Sequence, residues 1–405
     1  MFEQLGSITA MNSQLSSRVK AVKPSPTLAV TARAAEMRAA GKDVIGLGAG
    51  EPDFDTPDHI KKAAVEAIND GFTKYTAVDG TPGLKQAIID KFQRDNGFEY
   101  AMDQILVSCG GKQSFYNLAQ AILDPGDEVI IPAPYWVSYP DMSILAGGVP
   151  VLVSAGASQN FKITAQQLAA AITDKTKLFV INSPSNPTGM AYTKEELAAL
   201  GEVLKEHPRI IIATDDMYEH ILWPGNSFVN ILNACPELKD RTLVLNGVSK
   251  AYSMTGWRIG YAGGPAEIIK AMKKIQSQST SNPTSISQVA AQAALEGPQA
   301  CIAEMLTAFK GRHDYVVERL NSMPGIDCLP SDGTFYCFPK VEQALAGIDG
   351  VSNDLELSEY LISEAGVALV PGSAFGLAGH VRISIATGQD KLEQALDRIE
   401  GVLKG

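Results

Sequence analysis

The stretch KLFVINSPSNPTGMAYTKEELAALGEVLKEHPRIIIATDD, residues 177–216, contains two short apolar runs separated by a segment with helical periodicity. KLFVIN and RIIIAT are rich in β-branched and aliphatic residues and have the length of strands, whereas TKEELAALGEVLKEH repeats its apolar residues at helical spacing. Because a helix between two strands allows those strands to run parallel, the stretch predicts a β–α–β unit.

The same alternation of apolar runs and helical segments continues on both sides of this unit. KQSFYNLAQAIL has helical spacing, and the further strand candidates are QILVS, DEVIIP, VPVLVS, TLVLNGV and RIGYAGG. The pattern is typical of an α/β domain in which helices cover both faces of a mostly parallel sheet. Beyond a helical region near residues 285–322, the runs FYCFPK, VALVPG and VRISIA indicate a smaller α+β domain.

Composition restricts the classes of partner. The chain has 405 residues, 45% of them hydrophobic and 20% charged, and its formal net charge is −11. This acidity argues against nucleic acid and against an anionic membrane surface as partners. No apolar run in the sequence reaches the roughly 18 residues that a membrane span needs. We therefore expect the partners to be small molecules.

Cysteine and histidine spacing bears on compartment and metal binding. The five cysteines include no CxxC pair and the five histidines no HExxH pair, so neither a disulfide framework nor a metal site is predicted. The opening residues MFEQLGSITA lack the basic and continuous apolar regions of a secretory signal. These features predict a cytoplasmic location.

Polar groups follow several of the predicted strands, and ligands of open α/β sheets bind beyond the carboxyl ends of strands. Gly111 and Lys112, in GGK, follow QILVSC and open a helix, which offers free backbone N–H groups to an anion. Asn186 follows KLFVIN, Asp215 follows RIIIAT, and Trp136 follows DEVIIP. Each also has a purely structural explanation as a turn, a helix entry or a packing group, so none indicates a function alone.

Lys250 follows the apolar run TLVLNGV and lies among small and apolar residues in NGVSKAYSMTGWRIGY. Burial there would lower its pKa and make a nucleophilic neutral amine accessible near neutral pH. The glycine-rich loops GGKQS and GLGAGEP match neither the Walker A nor the GxGxxG nucleotide motif. An anion cradle, an aromatic ring, an asparagine, an aspartate and a lysine instead suit an aromatic phosphate ester with a carbonyl group, such as pyridoxal 5′-phosphate.

The chain resembles the class I, fold-type I pyridoxal-phosphate-dependent aminotransferases, and within them the bacterial aspartate aminotransferases whose subgroup includes prephenate-accepting enzymes. The resemblance begins at about residue 15 and rests on AGEPDFDTP, KYTAVDGTPGLKQAI, GGKQ, PYWVSYP, NSPSNPTG, DDMYEH, NGVSKAYSMTGWRIGY, PGSAFG and VRISIA, in that order. It implies a large cofactor-binding domain over residues 56–310. A smaller domain would comprise residues 311–405, joined by the N-terminal segment 1–55.

The resemblance also implies roles for individual residues around the cofactor ring. Lys250 corresponds to the lysine that forms a Schiff base with the cofactor and then moves the substrate proton. Asp215 corresponds to the partner of the pyridine nitrogen, and Tyr218 and Asn186 to the groups that hydrogen-bond the phenolic oxygen. Trp136 corresponds to the aromatic residue stacked on the ring. Asn186 and Trp136 are expected to contact the substrate as well.

Further positions correspond to phosphate-binding and carboxylate-binding residues of the family. Gly111, Lys112 and Arg258 are expected at the phosphate. Tyr75 corresponds to the tyrosine that reaches the phosphate of the neighbouring subunit, which implies a homodimer with shared active sites. Arg382 corresponds to the arginine that binds the substrate α-carboxylate in a bidentate manner, with Gly50 as a backbone contact to the same group.

The second carboxylate of the substrate has less clear binding residues. Animal-type aspartate aminotransferases bind this group with an arginine from the partner subunit. This sequence does not clearly reproduce the segment that carries that arginine. The bacterial subgroup instead implicates the segment KPSPT and the lysine of GGK, so the candidates are Lys23, Thr27 and Lys112.

The expected reaction is reversible amino transfer from L-aspartate to 2-oxoglutarate, giving oxaloacetate and L-glutamate. The alternatives within the fold are a prephenate aminotransferase, an aromatic, alanine or kynurenine aminotransferase, or a β-lyase. A ligand sensor without catalytic activity and a Schiff-base aldolase are alternatives from other classes. Acidity argues against a DNA-binding sensor, and an aldolase needs neither Asp215 nor a phosphate cradle.

Overall fold

The computed structural model describes residues 14–404, so the ten opening residues for which no secretory signal is predicted lie outside this range. Its α-helices, numbered α1 to α15 in chain order, are Ser17–Ala21, Pro26–Ala39, Asp58–Asn69, Pro82–Lys91, Gly111–Ile122, Ser138–Leu145, Ala165–Ala171, Lys194–Lys205, Ile231–Ala234, Ala266–Ser277, Ser285–Glu296, Ala300–Asn321, Glu342–Leu345, Asp354–Tyr360 and Gln389–Lys404. Short turns of 3-10 or π-helix are Phe92–Asn96, Met102–Gln104, Ala157–Gln159, Pro236–Arg241, Thr255–Trp257, Leu361–Ala365 and Gly372–Phe375.

The strands, numbered β1 to β12, are Ile45–Gly46, Ile105–Ser108, Glu128–Ala133, Val149–Ser154, Thr176–Asn182, Ile211–Asp215, Thr242–Gly247, Gly260–Gly263, Tyr336–Cys337, Val367–Ala368, Val370–Pro371 and Val381–Ser384. Seven of them, β2 to β8, form a central sheet in the order β2-β8-β7-β6-β5-β3-β4. The pairs among β3 to β7 are parallel, whereas β8 is antiparallel to both of its neighbours, β2 and β7. The predicted α/β fold with a mostly parallel sheet is confirmed.

Successive residues of the central strands enter two hydrophobic clusters on opposite faces of the sheet. Ile212 packs with helices that include α8 and α11, whereas its neighbour Ala213 packs with helices α5 and α10. This alternation follows from the two-residue period of a strand. Helix α8 begins at a capping box in which Thr193 accepts a hydrogen bond from the backbone of Glu196 and the Glu196 side chain accepts one in return. The two helix-covered faces explain why β5, β6 and β7 are apolar along their length.

A second core contains residues from both parts of the chain that flank the central sheet. The N-terminal strand β1 pairs in parallel with β10, and β12 lies between β9 and β11 in a three-stranded antiparallel sheet. Ile45 and Leu47 share one hydrophobic cluster with residues of α12 and α15. The predicted domain limits stay a prediction, and the limit at residue 310 would fall within the continuous helix α12.

One edge of the central sheet contains the carboxyl ends of six strands and the first residues of β8. Because only β8 of these seven runs in the opposite direction, its first residues lie beside the last residues of β2 and β7. Thus the loops after β2, β3, β5, β6 and β7 and the segment before β8 lie on the same side. Within residues 14–404, no helix combines the length and apolar character that crossing a membrane requires.

Candidate active site

A cavity of about 250 Å³ lies at this edge of the sheet, between the central sheet and the C-terminal core. Most of the residues expected at the site line it, together with several that the sequence motifs did not single out. The lining comprises Ser25, Thr27, Leu28, Gly50, Gly111, Lys112, Trp136, Val137, Ser138, Asn182, Asn186, Asp215, Met217, Tyr218, Ser249, Lys250, Thr255, Arg258, Tyr336 and Arg382.

Lys250 lies in the loop between β7 and β8, and its Nζ donates a hydrogen bond to the backbone carbonyl of Gly50. Burial lowers the pKa of this lysine to about 8, and the positive charge of Arg382 acts in the same direction. About one tenth of Lys250 is therefore a neutral amine at pH 7, and this fraction increases with pH. This is the state in which an amine attacks a carbonyl or accepts a proton.

Asp215 is the last residue of β6, and two donors hold its carboxylate. Tyr139 Oη donates to Asp215 Oδ2 at 2.5 Å, and the backbone N–H of Met217 donates to Oδ1 at 3.3 Å. Burial raises the pKa of Asp215, while these hydrogen bonds and the nearby charge of Lys250 oppose the rise. Burial and the adjacent carboxylate also keep the pKa of Tyr139 well above its usual value, so the tyrosine retains its proton and remains a donor.

Asn182, Asn186 and Arg382 form a chain of hydrogen bonds along the cavity wall. Asn182 Nδ2 donates to the backbone carbonyl of Asp215 at 2.8 Å, and its Oδ1 accepts from the Asn186 backbone N–H at 2.8 Å. Arg382 Nη1 donates to Asn186 Oδ1 at 2.9 Å. The chain connects the end of β6 to β12, so Asp215 and Arg382 are fixed relative to each other.

The Arg382 guanidinium is almost completely buried, with 2% of the residue exposed. Its Nη2 donates to the Gly48 carbonyl at 2.6 Å, and its Cζ lies 4.4 Å from the centroid of the Tyr336 ring and 5.0 Å from that of Phe375. Its Nε, also buried, has no hydrogen-bond partner among residues 14–404. A buried cation without a carboxylate beside it is costly, which favours an anionic ligand as the partner of this guanidinium.

The N-terminus of α5 forms an anion cradle with the segment that precedes β8. Gly110 has a left-handed φ of 87° and makes no side-chain cap, and a Cβ on it would lie 2.4 Å from Arg258 Nη2. A Cβ on Gly260 would lie 2.2 Å from the backbone nitrogen of Gly111. Glycine at these positions permits the close approach that brings Arg258 to free N–H groups at a helix N-terminus.

Lys112 and Trp136 lie together beside this cradle. Lys112 Nζ lies 5.3 Å from the centroid of the Trp136 ring. Burial and the positive charge of Arg258 lower the pKa of Lys112. The Trp136 ring contacts Tyr139 edge-on at 5.2 Å, which connects the aromatic wall of the cavity to the tyrosine that holds Asp215.

The N-terminal segment contributes Ser25 and Thr27 to the cavity lining, at the start of helix α2. Thr27 Oγ1 is buried and unpaired within the part of the chain that the structure describes. Lys23 is exposed and its backbone N–H donates to Asp141 Oδ1 at 3.3 Å, but Lys23 does not line the cavity as described. The structure therefore brings Thr27 and Lys112 together with Arg382, but not Lys23.

Tyr75 lies outside the cavity of its own chain and is 92% exposed. The segment that carries it is nevertheless fixed, because buried Gln276 donates to the carbonyls of Val78 and Val107 at 2.7 and 2.8 Å. Gln288 likewise donates to Thr76 Oγ1 at 3.0 Å. Tyr75 thus projects from a well-held loop.

Sequence reasoning missed Tyr139 and Tyr336 as site residues. Tyr139 follows Trp136 by three positions, so a helical reading of YWVSY would have predicted a shared face. Tyr336 Oη lies 3.0 Å from Tyr218 Oη, but nothing in the run FYCFPK distinguishes it from an ordinary strand residue. Its contact with Tyr218 joins residues that are distant in sequence within one hydrophobic cluster.

Among residues 14–404, two groups of carboxylate, histidine or cysteine side chains lie close enough together to hold a metal ion. They are Asp95 with Glu219 and His220, and Glu202 with Cys235 and Glu237. In each group a lysine already pairs with a carboxylate: Lys91 with Glu219, and Lys205 with Glu202 and Glu237. The ammonium groups occupy the positions that a cation would take. We therefore assign no metal to either group.

Comparison with known proteins agrees with this geometry. The sequence model of the family described as "Aminotransferase class I and II" matches residues 42–399. The chain is 61% identical over 395 residues to an aspartate/prephenate aminotransferase of Nitrosomonas europaea, covering 96% of this chain and 100% of that protein. It is 56% identical to an aspartate/prephenate aminotransferase of Cereibacter sphaeroides, covering 96% of this chain and 99% of that protein.

Solved structures show the same relationship. An aspartate aminotransferase structure from Rhizobium meliloti superposes with a TM-score of 0.93 at 51% identity, covering 96% of this chain and 99% of that one. An aspartate aminotransferase from Thermus thermophilus with maleate gives a TM-score of 0.90 at 44% identity, with coverage of 96% and 99%. The chain therefore belongs to the class I and II aminotransferases and is a pyridoxal-phosphate-dependent transferase of fold type I.

Proposed function

We propose that this chain catalyses reversible amino transfer between L-aspartate and 2-oxoglutarate, giving oxaloacetate and L-glutamate. The observation that carries the proposal is that Arg382, Thr27 and Lys112 line one cavity. Arg382 and Thr27 each also have a buried side-chain atom without a hydrogen-bond partner among residues 14–404. A dicarboxylic amino acid has two carboxylates, and each of them needs a hydrogen-bond donor or a cation in the cavity. The names of the relatives from Nitrosomonas europaea and Rhizobium meliloti support the same substrate.

The residues present fit pyridoxal 5′-phosphate. The uncapped N-terminus of α5, with Gly111, Arg258 and the neighbouring Ser249, has the donors that a phosphate requires, and a Cβ on Gly110 would fill the cradle. Asp215 would pair with the ring nitrogen, and Asn186 with Tyr218 would hold the phenolic oxygen. Trp136 would cover the ring. The bound cofactor supplies an electron sink and carries the amino group between the two half-reactions.

Each residue then has a separate task. Lys250 Nζ would hold the cofactor at its aldehyde and would act as the base that removes the substrate Cα proton and delivers it again. Asp215, whose ionised form is stabilised by hydrogen bonds from Tyr139 and the Met217 N–H, would hold a proton at the ring nitrogen. Arg382 would orient the α-carboxylate so that the Cα proton faces Lys250, and the backbone of Gly50 would contact the same carboxylate.

A homodimer with shared active sites is part of the proposal. Tyr75 is 92% exposed and lies near three further exposed apolar side chains in sequence, Val65, Ile68 and Phe72, at 54%, 49% and 41%. A second copy covering this apolar surface would bring Tyr75 to its partner's phosphate site. Light scattering of the purified protein tests the dimer. Mixing Tyr75→Ala with Lys250→Ala tests the sharing, because one site of a mixed dimer would carry neither change and would regain activity.

We also propose a cytoplasmic location. All five cysteines are free thiols, which supports a reducing compartment. Fractionation of the source cells followed by an activity assay would test it, and activity recovered outside the cytoplasmic fraction would contradict it.

Prephenate is the second candidate substrate, since the first two relatives described above are named for both aspartate and prephenate. A lysine supplies a flexible point charge rather than the rigid fork of an arginine, so Lys112 would serve carboxylates at more than one distance from Arg382. A cavity of about 250 Å³ that is partly formed by the N-terminal segment also suits a bulkier partner.

Single-turnover half-reactions test the function directly. The cofactor-loaded protein is mixed with aspartate, glutamate, alanine, phenylalanine or kynurenine, and the change in cofactor absorbance gives a rate for each donor. Prephenate and 2-oxoglutarate are then compared as acceptors. Faster reaction of aspartate and glutamate than of the neutral donors supports the proposal, whereas a clear preference for a neutral donor would overturn it.

A further inference from the structure

Tyr336 contacts two parts of the candidate site that have different tasks. Its Oη lies 3.0 Å from Tyr218 Oη, and its ring centroid lies 4.4 Å from Arg382 Cζ. Tyr218 is the residue proposed for the phenolic oxygen of the cofactor, and Arg382 the residue proposed for the substrate α-carboxylate. Tyr336 is therefore in contact with both Tyr218 and Arg382.

The surrounding structure fixes Tyr336. It is fully buried, and β9 pairs it with Ser384 on β12, the strand that carries Arg382. Its hydroxyl also occupies the space beside Gly50, where a Cβ would lie 2.7 Å from Tyr336 Oη. The Tyr336 ring is held by β12 and by the backbone of Gly50. It therefore keeps its contacts with Tyr218 and Arg382 without having to reorganise.

Donor and acceptor roles follow from the chemistry of the ligand. In the loaded enzyme the phenolic oxygen is an acceptor, so Tyr218 donates its proton to it and accepts a hydrogen bond from Tyr336. Burial raises the pKa of Tyr336 and keeps its proton in place, while the charge of Arg382 acts against this rise and favours Tyr336 as the donor. Hydrogen bonds in such a series polarise one another and become stronger.

We propose that Tyr336 is a positioning residue of this active site, whose hydroxyl aligns Tyr218 and whose ring supports the guanidinium of Arg382. The inference rests on the proposed function for the tasks of Tyr218 and Arg382. It adds that one side chain from the C-terminal core serves both the electronic state of the cofactor and the binding of the carboxylate.

Two variants separate the two contacts. Tyr336→Phe removes the hydroxyl and keeps the ring, whereas Tyr336→Leu removes both. Tyr192→Phe is the matched control, because Tyr192 is also buried and its hydroxyl accepts one hydrogen bond, from the Ile163 N–H at 2.9 Å, outside the cavity lining. The wild type and the three variants are purified with bound cofactor.

The first readout is the pH at which the absorbance of the bound cofactor changes. It reports the proton shared between the Lys250 nitrogen and the phenolic oxygen. A hydrogen-bond donor to that oxygen lowers this midpoint. Because Tyr336 is proposed to align the donor Tyr218, Tyr336→Phe is expected to raise the midpoint by about 0.3–1 pH unit. The charged groups that also face Lys250, namely Arg382, Glu51, Arg258 and Asp215, are the same in all variants.

The second readout is the steady-state kinetics with aspartate. Tyr336→Phe should keep KM for aspartate within about twofold and lower kcat by about 3- to 10-fold, the range for one hydrogen bond. Tyr336→Leu should in addition raise KM by about 3- to 30-fold, because the cation–π contact with Arg382 is lost. Tyr192→Phe should leave both the midpoint and the kinetic constants as in the wild type.

The inference would be overturned if Tyr336→Phe kept the wild-type midpoint and kcat. It would also be overturned if Tyr192→Phe changed the midpoint as much as Tyr336→Phe does. The result is separable from the proposed function. If the wild type fails to use aspartate but the midpoint still moves in Tyr336→Phe, the substrate assignment is wrong and the alignment of Tyr218 stands. If aspartate is used and the midpoint does not move, the function stands and the inference is wrong.

Discussion

The edge of the central sheet and the N-terminal segment border the same cavity, but the protein holds them differently. Asp215 accepts hydrogen bonds from Tyr139 and Met217, and Asn186 is fixed between Asn182 and Arg382. The N-terminal segment reaches the cavity at the start of α2, a helix of 14 residues in which only two, Ala34 and Met37, are buried.

This difference separates chemistry from substrate choice. The reacting groups lie on or directly after strands of the central sheet, and helices cover both faces of that sheet. This gives the fixed geometry that proton transfer requires. The candidate groups for the second carboxylate are Thr27, at the start of helix α2, and the flexible side chain of Lys112. A moderate displacement of the carboxylate is tolerated by such groups. We expect changes at Asp215 and Lys250 to reduce all substrates alike, and changes at Thr27 and Lys112 to alter the preference among them.

The largest effect is expected for Lys250→Ala, which removes both the covalent attachment and the proton acceptor. Turnover of every amino donor should fall by about 10,000-fold or more, while cofactor still binds through the phosphate cradle. Steady-state rates and cofactor retention after gel filtration measure the two effects. Steady-state transamination at a rate near that of the wild type would contradict the role of this lysine.

Tyr139→Phe tests whether the sheet edge depends on its supporting hydrogen bonds. The pKa of Asp215 should rise further once the hydroxyl at 2.5 Å is lost, so that less of the carboxylate is ionised. The loss of a hydrogen bond to a charged group is worth about 1.5–3 kcal/mol, and aspartate and alanine half-reactions should slow in parallel. The Tyr192→Phe protein is the control, and a decrease confined to aspartate would place Tyr139 among the specificity residues instead.

The pKa of Lys250 predicts a pH dependence of cofactor binding to the apoprotein. The neutral amine attacks the aldehyde, and its fraction increases with pH through a midpoint at about 8. Between pH 7 and pH 9 the rate of cofactor attachment should increase about tenfold at fixed temperature and ionic strength. Stopped-flow absorbance measures it, and a rate that is constant across this range would show that the amine is already neutral at pH 7.

The smallest effect is expected for Lys23→Ala. Because its side chain is exposed and does not line the cavity as described, kcat/KM for aspartate should change by less than about twofold, as for an exposed surface charge. Steady-state assays at low and moderate ionic strength measure it. A larger, aspartate-specific decrease would mean that the N-terminal segment closes further over the substrate.

Sequence and structure agree most where a residue's position follows from the strand pattern. Asn186, Asp215 and Lys250 come directly after apolar runs, and parallel strands bring such positions to one edge. Tyr336 could not be found this way, because its contacts with Tyr218 and Arg382 join residues that are distant in sequence.

The N-terminal candidates show a second limit of sequence reasoning. Lys23 and Thr27 both belong to the segment KPSPT, and charge favours the lysine as a carboxylate ligand. In the structure the backbone before helix α2 directs Thr27 to the cavity and leaves Lys23 exposed. Which residue of a short loop faces a ligand depends on backbone angles that residue type alone does not determine.

The most direct test of this division between chemistry and substrate choice is the ratio of half-reaction rates for aspartate and alanine in Lys112→Ala. We expect aspartate to lose about 1.5–3 kcal/mol of transition-state stabilisation, the range for a hydrogen bond to a charged group, while alanine reacts at a rate close to that of the wild type. An equal decrease for both donors would show that Lys112 serves the cofactor phosphate rather than the second carboxylate.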